Sequence, residues 1–350
     1  MTRYYLIRGE QIVAKIDINR PFNDGLTVRD FGALGDGKVD DTAAIQAAFD
    51  SDLPIVYVPP GTYRITSPLV SRREMQIVGV GRGKYNRWIS ALWVDGDHHG
   101  IMHTPSYAGA RLTVEHLGIE DRMPVGTRTQ GDGIYANYDS EVYNCDVEIR
   151  NVSVQRMWNG ITVVSPVASL IERVTVAFAY AHGVNITGKT VSGVGRGGTS
   201  TNVRNSFVTS CGGAGYRLAD MQYSSLLACA SDACQHGYLI ENANKRPSTI
   251  SLFGCGAEHP VLDGINITEC SGVLVSGGRY TSAGRDGLRA VADVEGLIVL
   301  GALYQGNTGY AINVLEGGVN VHEGGRVICC VTNLGNGGEI NDPHSIMTLL

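Results

Sequence analysis

From Asp132 onward the chain repeats a short phrase in which a glycine is followed by alternating apolar and polar residues: DGIYA, NGITV, HGVNI, AGYRL, HGYLI, DGINI, DGLRA and TGYAI. The glycines fall at 133, 160, 183, 215, 237, 264, 287 and 309, at intervals of 27, 23, 32, 22, 27, 23 and 22 residues. Alternation with a period of two predicts strands. A repeat in the low twenties predicts a solenoid, because each coil must return to the same place one strand spacing higher. A turn glycine opening each strand fits that scheme. Helical repeats are disfavoured, since glycine is a poor helix former and the alternation is out of step with a helix. Where an interval stretches, a loop must leave the stack, and the long intervals hold TGKTVSGVGRGGTS (187–200) and NANKRPS (242–248).

Ahead of the repeats, Asp40 or Asp41 can cap a helix running from Thr42 to Phe49, with Ile45, Ala48 and Phe49 on one face. So short a helix is marginal alone and must lie on something apolar, most simply the open end of a strand stack. Ile55 to Val58 is a β-branched and aromatic run stopped by Pro59-Pro60-Gly61, which predicts a buried strand closed by a turn; Tyr63 and Ile65 begin the next. Residues 1–25 alternate weakly and end in a turn-rich connector, either a small hairpin or a docking peptide. The repeats fade near residue 325, leaving 326–350 to close the solenoid or to pair between subunits. The expectation is an all-β solenoid over 26–325 with a short N-terminal capping α-helix.

Composition agrees: 46 of 350 residues are glycine and only 18% are charged, which suits short strands and tight turns. The net charge of −6 argues against a nucleic-acid partner, and an acidic glycan would need a local cluster of arginines. The N-terminus carries charges at Arg3, Arg8, Glu10, Lys15 and Asp17, so no signal-peptide core is expected, and no stretch is long and apolar enough for a membrane span. The eight cysteines form no CxxC pair, and Cys211, Cys229 and Cys255 recur at similar points of successive repeats, which predicts interior packing. The histidines at 98, 99 and 103 sit among Gly100 and Pro105, a poor setting for a helical zinc face. No metal or cofactor is called for.

The phrases FGALGDGKVDDTAAIQAAFD (31–50), VYVPPGTYRI (56–65) and GCGAE (254–258) resemble the pectate-lyase superfamily, in particular the polysaccharide-degrading tailspikes of bacteriophages. With the repeats, the likeness covers about residues 28–315. It implies a right-handed parallel β-helix, a bacterial surface polysaccharide as substrate, a parallel homotrimer and a place in the virion. It also implies synthesis in a host cytoplasm, with other phage tail proteins as partners through the N-terminus. The asparagine and aspartate strings of the superfamily's polygalacturonases are missing, and no cluster resembling the calcium site of pectate lyases stands out.

Candidate chemistry comes from register. SLLACASD (225–232) aligns position for position with SLFGCGAE (251–258), which places Asp232 directly beneath Glu258 on neighbouring coils. Strands in a sheet lie about 4.7–4.9 Å apart, so the two carboxyl groups should be separated by roughly that distance. Retaining glycosidases hold theirs about 5–5.5 Å apart. Asp232 and Glu258 are therefore the expected catalytic pair for hydrolysis, although GCGAE can equally be a structural turn. The same register puts Arg279 of VLVSGGRY one coil above Glu258, where its guanidinium can hold a sugar. His236 and His259 are further substrate contacts, or proton acceptors if the reaction is instead β-elimination on a uronic acid. A spike that binds glycan without cutting it is the third alternative. Trp158 and Tyr180, in near register, line a sugar subsite or simply stack, and Tyr85, Trp88 and Trp93 pose the same choice. Glu120, Asp121, Asp132 and Glu172 form an alternative catalytic set. The alternating Arg150, Glu172 and Arg204 more often mark a surface ladder.

Overall fold

The computed structural model describes residues 3–8, 11–17, 25–81, 88–107, 109–137, 145–191, 194–242, 247–292, 294–315, 327–341 and 347–349. The architecture is a right-handed parallel β-helix. Each coil contributes one strand to each of three parallel sheets, as in Asp146–Arg150, Ser153–Gln155 and Ile161–Val164, followed one coil higher by Leu170–Glu172, Thr175–Ala177 and Val184–Thr187. The third sheet runs to eleven strands.

Two sharp bends separate the sheets, and each is a vertical file of left-handed residues. Between the first and second sheets stand His116, Asn151, Arg173, Asn205, Ala228, Gly254, Gly277 and Gly301, with φ from 51 to 65°. After the second sheet come Arg156, Phe178, Ser210, Ala233, His259, Ser282, Gly306 and Gly335, with φ from 51 to 63°. These bends, mostly at residues other than glycine, turn the chain.

The repeated glycines have a different task. Gly100, Gly133, Gly160, Gly183, Gly215, Gly237, Gly264 and Gly287 sit one above another at the start of the third-sheet strands, and none has a positive φ. A Cβ on Gly160 would lie 2.4 Å from Val176 Cγ1 and 2.5 Å from the Gly183 carbonyl oxygen. They are glycines because the strand crosses the inward side chains of the second sheet too closely for any side chain, and the expectation of turn glycines is corrected accordingly. The file ends at Ala311 rather than the expected Gly309, since Leu288 pairs with Ile312.

Inside, alternate residues of all three sheets make one continuous apolar core. It includes stacked tyrosine rings, Tyr216 on Tyr238 with centroids 5.3 Å apart and Tyr280 on Tyr304 at 5.4 Å. Cys145, Cys211, Cys229, Cys234, Cys255 and Cys270 are buried and free. Cys229 lies under Cys255, but Cys211 lies under Cys234, so the three expected to recur together belong to two files. The side chains of Cys329 and Cys330 lie outside the described residues.

The helix Thr42–Asp50 closes the lower end, burying Ile45, Ala48 and Phe49. Its cap is divided: Asp40 Oδ1 accepts the Thr42 N–H at 3.0 Å, while Asp41 turns away and accepts the N–H groups of Leu34 and Gly35. At the N-terminus, Arg3–Arg8 and Gln11–Asp17 form an antiparallel hairpin. At the other end Val327–Leu334, Gly338–Asn341 and Met347–Leu349 pair in parallel with the strands beneath, so the tail adds to the stack. The long interval at 187–200 leaves the coil as a hairpin of Lys189–Val191 with Val194–Arg196.

Candidate active site

The outward face of the second sheet carries a vertical file of Trp93, Glu120, Gln155, Ala177, Thr209, Asp232, Glu258 and Thr281. Asp232 is paired with Glu258 in parallel register, as the two aligned phrases require. A carboxylate oxygen of each and a ring nitrogen of His259 lie within 4.8 Å of one another. His259 stands in the left-handed bend directly after Glu258, which swings its ring down to place Nδ1 3.1 Å from Asp232 Oδ1. All three side chains reach solvent, at 36% exposure for Asp232, 53% for Glu258 and 66% for His259.

Arg279 is not directly above Glu258. It pairs with Gly256, and Thr281 takes the position over Glu258, because the whole coil keeps one register here, Phe253 pairing with Ser276 before the bend and Gly256 with Arg279 after it. The arginine still reaches back, with Nη1 3.9 Å from Glu258 Oε1. Two carboxylates and an imidazole at this spacing are also the donor set of a divalent cation, but the Arg279 guanidinium sets a positive charge against one.

The interior tyrosines brace this rung from behind. Tyr216 donates its hydroxyl to the Ala230 carbonyl at 3.2 Å, and Tyr238 donates to Cys229 and Gly256 carbonyls at 2.6 and 2.9 Å. Ala230 and Gly256 each lie two residues before a carboxylate.

The remaining candidates are spread along the solenoid. Glu120 shares the outward file, four coils below Asp232, between Arg122 at 3.6 Å and Arg156 at 3.2 Å. Asp121 points inward and is buried against Arg128 at 2.7 Å, a pair that fastens the 122–131 loop. Glu172 sits between Arg150 at 3.6 Å and Arg204 at 3.0 Å in a charged ladder on the first sheet. Trp158 lies under Ala181 and Tyr180 over Met157, one residue out of register, and the Tyr180 hydroxyl accepts the Gly126 N–H at 2.9 Å. Tyr85 lies outside the described residues.

Asp132 and His236 belong to a feature the sequence displayed without its meaning being drawn. The residue before each repeated glycine (Asp132, Asn159, His182, His236, Asp263, Asp286) forms its own file, in which side chains other than that of His236 accept a backbone N–H of the coil above. His99 Nδ1 accepts from Asp132, Asp132 from Asn159, Asn159 from His182 and His182 Nδ1 from Ala214, at 2.9 to 3.1 Å. Asp286 accepts from Tyr310 at 2.9 Å. Burial, helped by Arg217 and His236, pushes the His182 pKa down to about 4, which keeps its ring a neutral acceptor. Burial alone would raise the Asp263 carboxyl, but hydrogen bonds from Arg285, His236 and Asn266 outweigh it and hold the group well below the usual carboxylate range. The His236 ring stands 3.2 Å from Asp263.

Two clefts open on the outer surface below the carboxylates. One, of about 360 Å³, lies between Trp88, Trp93, Glu120 and Gln155, with the Arg122 guanidinium 3.9 Å over the Trp93 ring. The other, of about 350 Å³, is bounded by Trp88, Arg173 and Phe207. Trp88 lies against Gly118, where a Cβ would come within 2.4 Å of its Cγ, and forms the wall between them.

With this geometry in hand, comparison with known proteins places the chain. An alginate lyase 7 from Azotobacter vinelandii is 35% identical over 150 residues, 36% of this chain, and the match spans only 17% of that relative's length. In structure, the A-module of the A. vinelandii mannuronan C-5 epimerase AlgE6 superposes with a TM-score of 0.67 at 17% identity, covering 93% of this chain and 98% of the module. The gp42 tailspike of Acinetobacter phage vb_AbaP_AS12 superposes with a TM-score of 0.62 at 13% identity, covering 93% of this chain and 62% of the tailspike. The family model for rhamnogalacturonase A/epimerase, pectate lyase-like proteins matches residues 26–257. The chain is therefore a member of the rhamnogalacturonase A/epimerase, pectate lyase-like family.

Proposed function

We propose that this protein is a polysaccharide depolymerase of the phage tailspike kind, which binds a bacterial surface polysaccharide and cleaves it by glycoside hydrolysis at Asp232 and Glu258. The observation that carries the proposal is the exposed pair itself, in register on adjacent coils with oxygens within 4.8 Å. One carboxyl gives its proton to the glycosidic oxygen as the bond breaks. The other attacks the anomeric carbon, and water activated by the first then releases the sugar; the short separation favours this double displacement over single inversion. His259 orients Asp232 through the 3.1 Å contact, and Arg279 is placed to hold a sugar oxygen beside Glu258. The tailspike setting, with a homotrimer and attachment to other tail proteins through the N-terminus, is part of the same proposal.

A lyase is the second reading, favoured by His259. Its imidazole stands among two carboxylates and an arginine, a set that can remove the C5 proton of a uronic acid and neutralise the developing charge. Incubation with capsular polysaccharide separates the readings. Hydrolysis gives new reducing ends without ultraviolet absorbance, elimination gives both, and intact polymer retained on the protein marks a spike that binds without cutting.

A further inference from the structure

The cleft bounded by Trp88 and Phe207 contains a cation with no structural employment. Arg173 stands in the left-handed bend between the first and second sheets, exposed, and its guanidinium makes no hydrogen bond or ion pair among the described residues. The nearby arginines Arg150 and Arg204, each one residue before this file, are by contrast spent on Glu172. Asn151 below and Asn205 above are members of the same bend and line the same cleft. An aromatic wall, two amides and an unpaired guanidinium in a crease of about 350 Å³ make a set suited to a sugar ring that carries a negative charge.

The cleft is also continuous with the carboxylates. Phe207 pairs with Ala230, Ala230 with Gly256 and Gly256 with Arg279, so the surface beside Asp232 and Glu258 is floored by two residues almost without side chains. Thr175, at the level of the cleft, is three coils below Gly256. At about 4.8 Å per coil this is roughly 14 Å, the reach of a few sugar units.

Building on the depolymerase reading, we infer that Arg173, Trp88, Asn151 and Asn205 form a distal subsite for an acidic sugar residue of the polymer, a few units from the bond that breaks. The molecule's net charge of −6 repels a polyanion at long range, so recognition must be local, and Arg173 supplies the local charge.

The test measures binding of alginate and of carboxyl-reduced alginate to the Asp232→Asn/Glu258→Gln double variant, with and without Arg173→Gln. The expected result is preference for the acidic polymer, a roughly tenfold loss of that affinity on Arg173→Gln, and no change toward the reduced polymer. Trp88→Ala weakens both. Absence of alginate binding, no preference for it, or an Arg173→Gln effect that is nil or equal on both polymers overturns the subsite. Because binding is read on a variant without the carboxylates, retained cleavage by that variant would refute the catalytic assignment while leaving this readout intact.

Discussion

The Tyr238 hydroxyl, inside the solenoid, donates to the Gly256 carbonyl at 2.9 Å, two residues before Glu258 on the outer face. The same hydroxyl lies 2.6 Å from the Cys229 carbonyl, on the coil that carries Asp232. One buried side chain thus ties together the two coils whose register defines the candidate site. Tyr238→Phe should cost about 1 kcal/mol in denaturant unfolding, the loss of one buried hydrogen bond, since the Cys229 carbonyl keeps the Gly256 N–H at 3.0 Å. It should also lower kcat with KM little changed. Tyr280→Phe is the contrast: the Tyr280 hydroxyl is buried without a hydrogen-bond partner among the described residues, so its removal should be neutral or stabilising.

The glycine file makes a second prediction. Gly160→Ala would put a methyl 2.4 Å from Val176 Cγ1 and 2.5 Å from the Gly183 carbonyl oxygen, with backbone on one side and a core side chain on the other. Neither can retreat without moving a coil. The expected cost is about 3 kcal/mol, at the upper end for overpacking, read as a lower midpoint of unfolding. An unchanged midpoint would mean that the coils are less tightly stacked than described.

These glycines show how the sequence was and was not legible. Their spacing disclosed a solenoid, and the matching phrases SLLACASD and SLFGCGAE placed Asp232 under Glu258 as found. Their role did not follow, because a turn and a close crossing both exclude a side chain and only the backbone angles separate them. Arg279 was misplaced by two residues because VLVSGGRY lacks the cysteine that aligned the other two phrases, so nothing in it marks which residue stands over Ser251; in the structure that residue is Leu274. The ladder of Asp132, Asn159, His182, His236, Asp263 and Asp286 was visible as the residue before each glycine, yet polar identities in a file do not say whether they face solvent or the N–H of the next coil. The subsite at Arg173 had no signal in one dimension, since what marks it is the lack of a partner.

Acid should loosen the molecule before it reaches the carboxylate range. Burial pushes the His103 pKa down to about 4, opposed weakly by its bond to the Ala110 carbonyl and by Asp146. An unfolded histidine titrates near 6.5, so the unfolded chain takes up a proton that the folded chain refuses. The stability held in the neutral ring is complete above about pH 6.5 and is lost as pH falls toward 4, roughly 3 kcal/mol for this fully buried group. His182, with its pKa also near 4, acts in the same direction. The midpoint of thermal unfolding measured from pH 7 to pH 4 should fall, and less steeply in His103→Gln. Parallel curves would contradict the assignment.

The central claim is that two carboxylates held one coil apart break a sugar polymer. The most direct measurement is the rate at which purified wild-type protein, Asp232→Asn, Glu258→Gln and Arg204→Gln release new ends from the capsule of a susceptible strain, with folding checked by circular dichroism. The account predicts that either carboxylate variant falls by about a hundredfold or more, as loss of a general acid or a nucleophile requires, while Arg204→Gln, in the first-sheet ladder, cleaves at the wild-type rate. Full cleavage by both carboxylate variants would contradict it.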